Sequence, residues 1–175
     1  ADMLERLDAA LHSASGERLR DRIAEQYPVA LIDEFQDTDP LQYRIFNAIY
    51  GVAGNDPQTA LVLIGDPKQA IYAFRGADIH TYLAARRDTA GRHSTLGTNF
   101  RSTGAVVAAV NQVFRQAEQR PGPGAFLFRN GNDDPVPFIE VAARGRDERW
   151  CIDGVEAPAL SFWQLDAGGP ISATA

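Results

Sequence analysis

An α/β fold organised around a parallel sheet is what this sequence predicts, and three observations carry the prediction. Val29-Ala30-Leu31-Ile32 is a short, continuous apolar run bounded by Pro28 and by polar residues, the pattern of a strand buried on both faces. Thr59 to Ile64 is a second run of the same kind, ending at Gly65-Asp66. Between them Leu41, Ile45, Ala48 and Ile49 recur at helical spacing and line one helix face. Strand, helix and strand within about 36 residues make a right-handed βαβ unit of a parallel sheet.

The remaining elements follow in order. Leu4, Leu7 and Leu11, then Leu19 and Ile23, mark two helices separated by Ser13-Ala14-Ser15-Gly16, and Pro28 stops the second. Thr38-Asp39-Pro40-Leu41-Gln42 is a helix start: Asp39 caps, Pro40 suits the first helical position, and Gln42 reaches back to close a capping box. Gly51, Gly54, Asn55 and Pro57 end that helix. A further helix runs from Asp78 to about Ala90, a third short strand precedes Asn99, and a helix follows Ser102-Thr103 with Val106, Val110, Val113 and Phe114 as its apolar stripe. Pro121, Gly122, Pro123, Gly124 and the Asn130-Gly131-Asn132-Asp133-Asp134 cluster make the stretch up to Pro137 irregular. Asp153-Gly154 is a hairpin turn, and Ala159 to Leu165 a closing strand. The chain carries no internal repeat.

At 175 residues the chain suffices for one ordinary domain or parts of two. A hydrophobic share of 45% with 23% charged residues belongs to a globular chain, not a disordered one. No apolar run approaches the ~20 residues of a membrane span, and Asp2, Glu5, Arg6 and Asp8 interrupt any signal-like start. A single cysteine, Cys151, excludes a disulfide framework and a cysteine-rich zinc site, so a reducing cytoplasm is the expected compartment. The net charge of -6 argues against a protein that grips nucleic acid mainly through phosphates, while leaving room for a narrow channel where rings stack on bases. The first residues read as helix without a conventional start and the last follow a strand-like segment; an excised internal piece is expected.

Chemistry concentrates in three places. In Leu31-Ile32-Asp33-Glu34-Phe35-Gln36-Asp37, two adjacent carboxylates emerge where a strand ends, the position at which open parallel sheets form their ligand crevice. Nucleotide hydrolysis needs one carboxylate for Mg²⁺ and one group to orient or deprotonate the attacking water, tasks that Asp33 and Glu34 can divide. An acidic pair after a strand is also an ordinary solvated loop, and alone it reads that way. The second constellation, Gly65-Asp66-Pro67-Lys68-Gln69-Ala70-Ile71-Tyr72-Ala73-Phe74-Arg75-Gly76-Ala77-Asp78, follows the next strand, and the third is Thr98-Asn99-Phe100-Arg101-Ser102-Thr103. Without further context, Tyr72 and Phe74 read as core aromatics, Phe100 as packing and Arg101 as a cap on a carbonyl. His12, His80 and His93 lack metal-ligand spacing. Cys151 beside Trp150 reads as a packing residue, and Arg144, Arg146 and Arg149, interleaved with Asp147, Glu148 and Asp153, as a solvated hairpin.

In order and placement these three segments resemble motifs two, three and four of the UvrD-like superfamily 1 DNA helicases. Asp66-Pro67-Lys68-Gln69 followed by Tyr72-Ala73-Phe74 is most similar to the RecB-type branch, UvrD and Rep relatives usually having tryptophan where Phe74 stands. The resemblance covers Val29 to Val113. It implies a RecA-like parallel sheet of the P-loop NTPase type, present as partial motor lobes: a helical segment, 1–27, from a subdomain inserted in the first lobe; the C-terminal half of that lobe, 28–93; and the start of the second lobe, 94–175, with an irregular and hairpin segment at 120–158. It implies ATP and Mg²⁺ as cofactors, with Asp33 in the metal shell, Glu34 activating water, and Gln69 contacting the γ-phosphate. It further implies Phe100 stacking on adenine, Arg101 as an arginine finger supplied in cis, and Tyr72, Phe74 and Arg75 facing single-stranded DNA. Gln69 lies three residues from Tyr72, so movement of this segment on loss of γ-phosphate reaches the DNA-facing rings directly.

By the same resemblance, the parent protein is an ATP-dependent DNA translocase of double-strand break repair and homologous recombination, with single-stranded and duplex DNA and RecC-like and RecD-like subunits as partners. No Gly-x-x-x-x-Gly-Lys-Ser/Thr loop occurs, so the chain alone is expected to be inactive as an ATPase. Two other readings stand beside the motor. One is a scaffold that retains the fold without catalysis, against which Asp33, Glu34, Gln69 and Arg101 speak. The other is a metal nuclease on the acidic pair, for which no further carboxylate and lysine pattern follows Glu34. An AddA-type helicase is the nearest alternative within the family.

Overall fold

Two helices open the chain, α1 (Asp2–Leu11) and α2 (Gly16–Gln26), followed by strand β1 (Val29–Ile32), helix α3 (Pro40–Tyr50), strand β2 (Ala60–Leu63) and helix α4 (Ile79–Asp88). A computed structural model describes residues 2–71 and 78–163. The chain divides into two units, Ala1–Ser94 and Thr95–Ala175.

In the first unit β1 and β2 pair in parallel, with Ala30 opposite Leu61 and Ile32 opposite Leu63. Side chains alternate between the faces of a strand. The inner face, carrying Ile32, Leu61 and Leu63, packs on a core of Phe35, Tyr43, Val52 and Ala85, with Tyr82 against it. Phe35 lies at its centre, 2% exposed, edge-on to Tyr43 at 5.8 Å. The outer face corrects the expectation of strands buried on both sides: Val29 is 56% and Leu31 65% exposed, and Val62 and Ile64 are exposed beside them. A continuous apolar run gives no means of telling which of its two faces the same chain covers.

Helix α3 begins with the capping box read from the sequence. The Gln42 N–H donates to Asp39 Oδ1 at 2.8 Å and the Asp39 N–H to Gln42 Oε1 at 3.1 Å. Its buried residues are Tyr43, Ile45 and Tyr50, whereas Leu41, Ala48 and Ile49 are only partly covered. The predicted stripe is too narrow because α3 is packed on two sides, by the sheet core and by α1 and α2. Arg44 clamps Asp8 of α1 through two hydrogen bonds, one of 2.7 Å from Nε. That bond and the guanidinium charge outweigh desolvation and hold the Asp8 carboxyl below its usual range. On the other side the Tyr43 hydroxyl donates to Asp88 of α4 at 2.6 Å, and burial together with that carboxylate pushes the phenol up.

The second unit contains strand β3 (Thr98–Asn99), helix α5 (Gly104–Glu118) and strands β4 (Ala142–Ala143), β5 (Cys151–Ile152) and β6 (Val155–Glu156). β3 pairs in parallel with β4, a partner absent from the sequence reading. Val107 is buried on α5, Asn111 donates to the Val141 carbonyl at 2.9 Å, and Phe114 stacks between Phe126 and Phe138. Of the predicted stripe only Phe114 is on this face; Val106, Val110 and Val113 are exposed. A run as apolar as Ala105 to Val110 offers two candidate stripes, and contact with β4 selects one. The β5–β6 hairpin turns at Asp153-Gly154, where φ of 49° and 78° is the two-positive geometry such a turn requires. Cys151 is exposed, as is Trp150 beside it, correcting the packing role expected of the cysteine. Residues 159–163 form no strand, and the rest of the predicted closing strand lies outside the described residues. Among the described residues no helix is long and apolar enough to cross a membrane.

Candidate functional site

Where β1 and β2 end, the backbone ladder continues for two more bonds. The Ile64 N–H donates to the Ile32 carbonyl at 2.8 Å, and the Phe35 N–H to the Ile64 carbonyl at 2.9 Å. Glu34, between them, takes a left-handed conformation at φ 51°, a cost of about 1–3 kcal/mol that persists only where surroundings enforce it. Phe35 enforces it from below by entering the core, and Gln36 from the side. Gln36 is 2% exposed; its Nε2 donates to Glu34 Oε2 at 2.6 Å and its Oε1 accepts the Asp66 N–H at 3.0 Å. This approach requires glycine at position 65, where a Cβ would stand 2.8 Å from Gln36 Oε1 and 3.1 Å from the backbone nitrogens of Phe35 and Gln36.

Asp66 then caps the single turn Pro67–Gln69. It accepts from the Lys68 N–H at 3.1 Å and from Gln69 Nε2 at 3.2 Å, and pairs with Lys68 Nζ at 2.8 Å. Burial raises the Asp66 carboxyl, but the Lys68 and Gln69 hydrogen bonds and the Lys68 charge outweigh it and hold the group below its usual range. Glu34, Gln36, Asp37, Lys68, Gln69 and Ile71 line an open cavity of about 540 Å³. Asp33 is exposed next to Glu34, whose N–H it accepts at 2.9 Å.

Two predicted residues, Glu34 and Gln69, thus share one cavity, with Asp33 adjoining it. Among the described residues no group of three or more histidines, cysteines and carboxylates is placed to hold a metal ion. A single exposed carboxylate nevertheless fits Mg²⁺, which retains waters and takes its remaining ligands from substrate phosphates. Asp37 Oδ1, buried on the same cavity without a hydrogen-bond partner, is an acceptor to which ordered or metal-bound water can donate.

Phe100 and Arg101 belong to the second unit. Asn99 Oδ1 accepts from the Arg101 N–H at 2.9 Å and the Ser102 N–H at 2.8 Å, a tight polar turn that leaves Phe100 64% exposed and Arg101 exposed. The predicted DNA-facing residues Tyr72, Phe74 and Arg75 lie outside the described residues. Gln36, Asp66 and Asn99 lie within the three motifs, but the sequence alone gives them no role. Adjacency in the chain does not reveal that the Gln36 and Asp66 segments meet across a strand pair.

A family model for the UvrD/REP helicase N-terminal domain matches residues 1–90, just over half of the chain. The chain belongs to the UvrD/REP helicase family. Among relatives of this helicase chain is the RecBCD enzyme subunit RecB of Escherichia coli (strain K12), 50% identical over 167 residues, which are 94% of this chain and 13% of that protein. The subunit of the same name from Haemophilus influenzae is 42% identical over 166 residues, 95% of this chain and 13% of that protein. That of Mycobacterium tuberculosis (strain ATCC 25618 / H37Rv) is 49% identical over 116 residues, 66% of this chain and 10% of that protein. The UvrD/REP helicase chain therefore spans about an eighth of the length of the first two relatives.

Proposed function

We propose that this chain is part of the motor of a RecB-type DNA helicase: an ATP-hydrolysing, RecA-like engine that moves along single-stranded DNA and unwinds duplex during double-strand break repair and homologous recombination. The observation that carries the reading is the shared cavity of Glu34 and Gln69 at the adjoining ends of two parallel strands. Such ends form the ligand crevice of open α/β sheets. RecC-like and RecD-like partner subunits are part of the proposal, supported by relatives that bear the name of a RecBCD subunit.

Each residue has a task in this reading. Asp33 holds Mg²⁺, which when bound neutralises phosphate charge. Glu34 orients and deprotonates the attacking water. Gln69, tied to Asp66, contacts the terminal phosphate or its water and passes its loss to the following segment, where Tyr72, Phe74 and Arg75 meet single-stranded DNA. Arg101 supplies a rigid, permanently charged fork to the γ-phosphate when the motor closes on ATP, and Phe100 stacks on the adenine. Their exposure on the Asn99 turn leaves both side chains available for such contacts.

Glu34→Gln in the full-length protein tests the reading. The expected result is retained binding of single-stranded DNA with loss of ATP-driven movement along it. A variant that translocates at the parental rate would overturn the assignment.

A further inference from the structure

Gln36 is among the most enclosed large side chains of the chain. A buried amide costs stability unless its donor and acceptor are both engaged, and a leucine or methionine would fill the same volume without that cost. Both ends of this amide are engaged, and with different partners. The carbonyl oxygen accepts a backbone N–H from Asp66, while the nitrogen donates to the carboxylate of Glu34, an exposed residue at the mouth of the cavity. An exposed glutamate otherwise samples several rotamers, and freezing it has an entropic cost that a short bond to a rigid, buried group offsets.

We propose that Gln36 is a positioning residue for ATP hydrolysis: its amide nitrogen aims the Glu34 carboxylate at the attacking water, and its carbonyl oxygen ties that aim to the Asp66–Gln69 turn. This rests on the reading of Glu34 as the water-activating group. Through the strut, a shift of the turn that carries Gln69 is also a shift of Glu34. The orientation of the base and the phosphate-contacting segment therefore move as one body.

Two substitutions in the full-length protein separate this role from simple packing. Gln36→Glu preserves the shape and the acceptor for the Asp66 N–H; ionised, it presents an oxygen to Glu34 instead of a donor, whereas at lower pH the two carboxyls share a proton that restores the bond. Gln36→Met fills the volume and provides neither. Gln36→Met, and Gln36→Glu at the alkaline end of the assay, are expected to lower kcat for DNA-stimulated ATP hydrolysis by about 100-fold, the scale of a 1 Å misplacement, while KM for ATP stays within about threefold. Combined with Glu34→Gln, Gln36→Glu should not lower the residual rate further, because it keeps the acceptor for the Asp66 N–H and acts only through the carboxylate at position 34. Parental kcat in Gln36→Met, or a loss confined to KM in either variant, overturns the proposal; should Gln36→Met fail to fold, a kcat of Gln36→Glu that stays parental up to the alkaline limit of the assay overturns it instead. Measured alongside, Glu34→Gln keeps two failures apart. If it turns over ATP like the parent, the reading of Glu34 fails and the strut with it; if it is inactive while both Gln36 variants are normal, only the strut is wrong.

Discussion

The Glu34 loop in the first unit and the Phe100 loop in the second solve opposite problems. Around Glu34 the polar groups are bound inward: Gln36 holds Glu34 and the Asp66 backbone, Asp66 holds Lys68 and Gln69, and Phe35 anchors the loop in the core. Around Phe100 the inward bonds are confined to backbone and Asn99, while the ring and the neighbouring arginine face outward. The first loop is preorganised around its own side chains; the second is a polar turn that leaves the Phe100 and Arg101 side chains exposed. A residue meant to hold a reacting group steady belongs on the former, and one meant to engage a ligand only in a closed state belongs on the latter.

That contrast is open to direct attack. Arg101→Ala in the full-length protein should lower kcat for ATP hydrolysis by about 10³-fold, the scale of losing an arginine finger, with little change in thermal stability. A stability loss without a rate loss would show that Arg101 belongs to the fold instead. Phe35→Ala should do the reverse in kind, removing about 3–5 kcal/mol of stability through the cavity left in the core, as read by denaturant unfolding. A near-neutral result would mean that the Glu34 loop is not anchored from below.

The smallest effect concerns acid. Because the folded Asp66 carboxyl lies below its unfolded value, its contacts stabilise fully above the ordinary aspartate pKa of about 3.9, and that contribution is lost as pH falls through the lower folded value. Asp66→Asn should therefore flatten the acid limb of the stability profile without altering its shape above about pH 5. An unchanged acid limb would mean that the Lys68 and Gln69 contacts do not hold in solution.

The sequence was most legible where local chemistry decides structure. The Asp39–Gln42 box, the Asp153-Gly154 turn and the start of α5 after Thr103 need only neighbours a few residues away. It was least legible where a partner distant in sequence selects among equals, as β4 does for the two apolar faces of α5, or where coverage of a strand face is at issue. The site divides the same way. Residue types and their order marked Glu34 and Gln69, which line one cavity, yet the hydrogen bond from the Asp66 N–H to the buried Gln36 amide spans thirty positions and links the ends of two strands, and no spacing rule anticipates it.

One measurement bears on the central claim that the ends of β1 and β2 form a single site for cleaving ATP. Wild-type and Glu34→Gln full-length protein would be loaded with MgATP on single-stranded DNA and followed through one round of cleavage. Nucleotide is expected to stay bound while cleavage slows by about 10²–10⁴-fold, the contribution of a general base. Cleavage at the wild-type rate from the Glu34→Gln complex would contradict it.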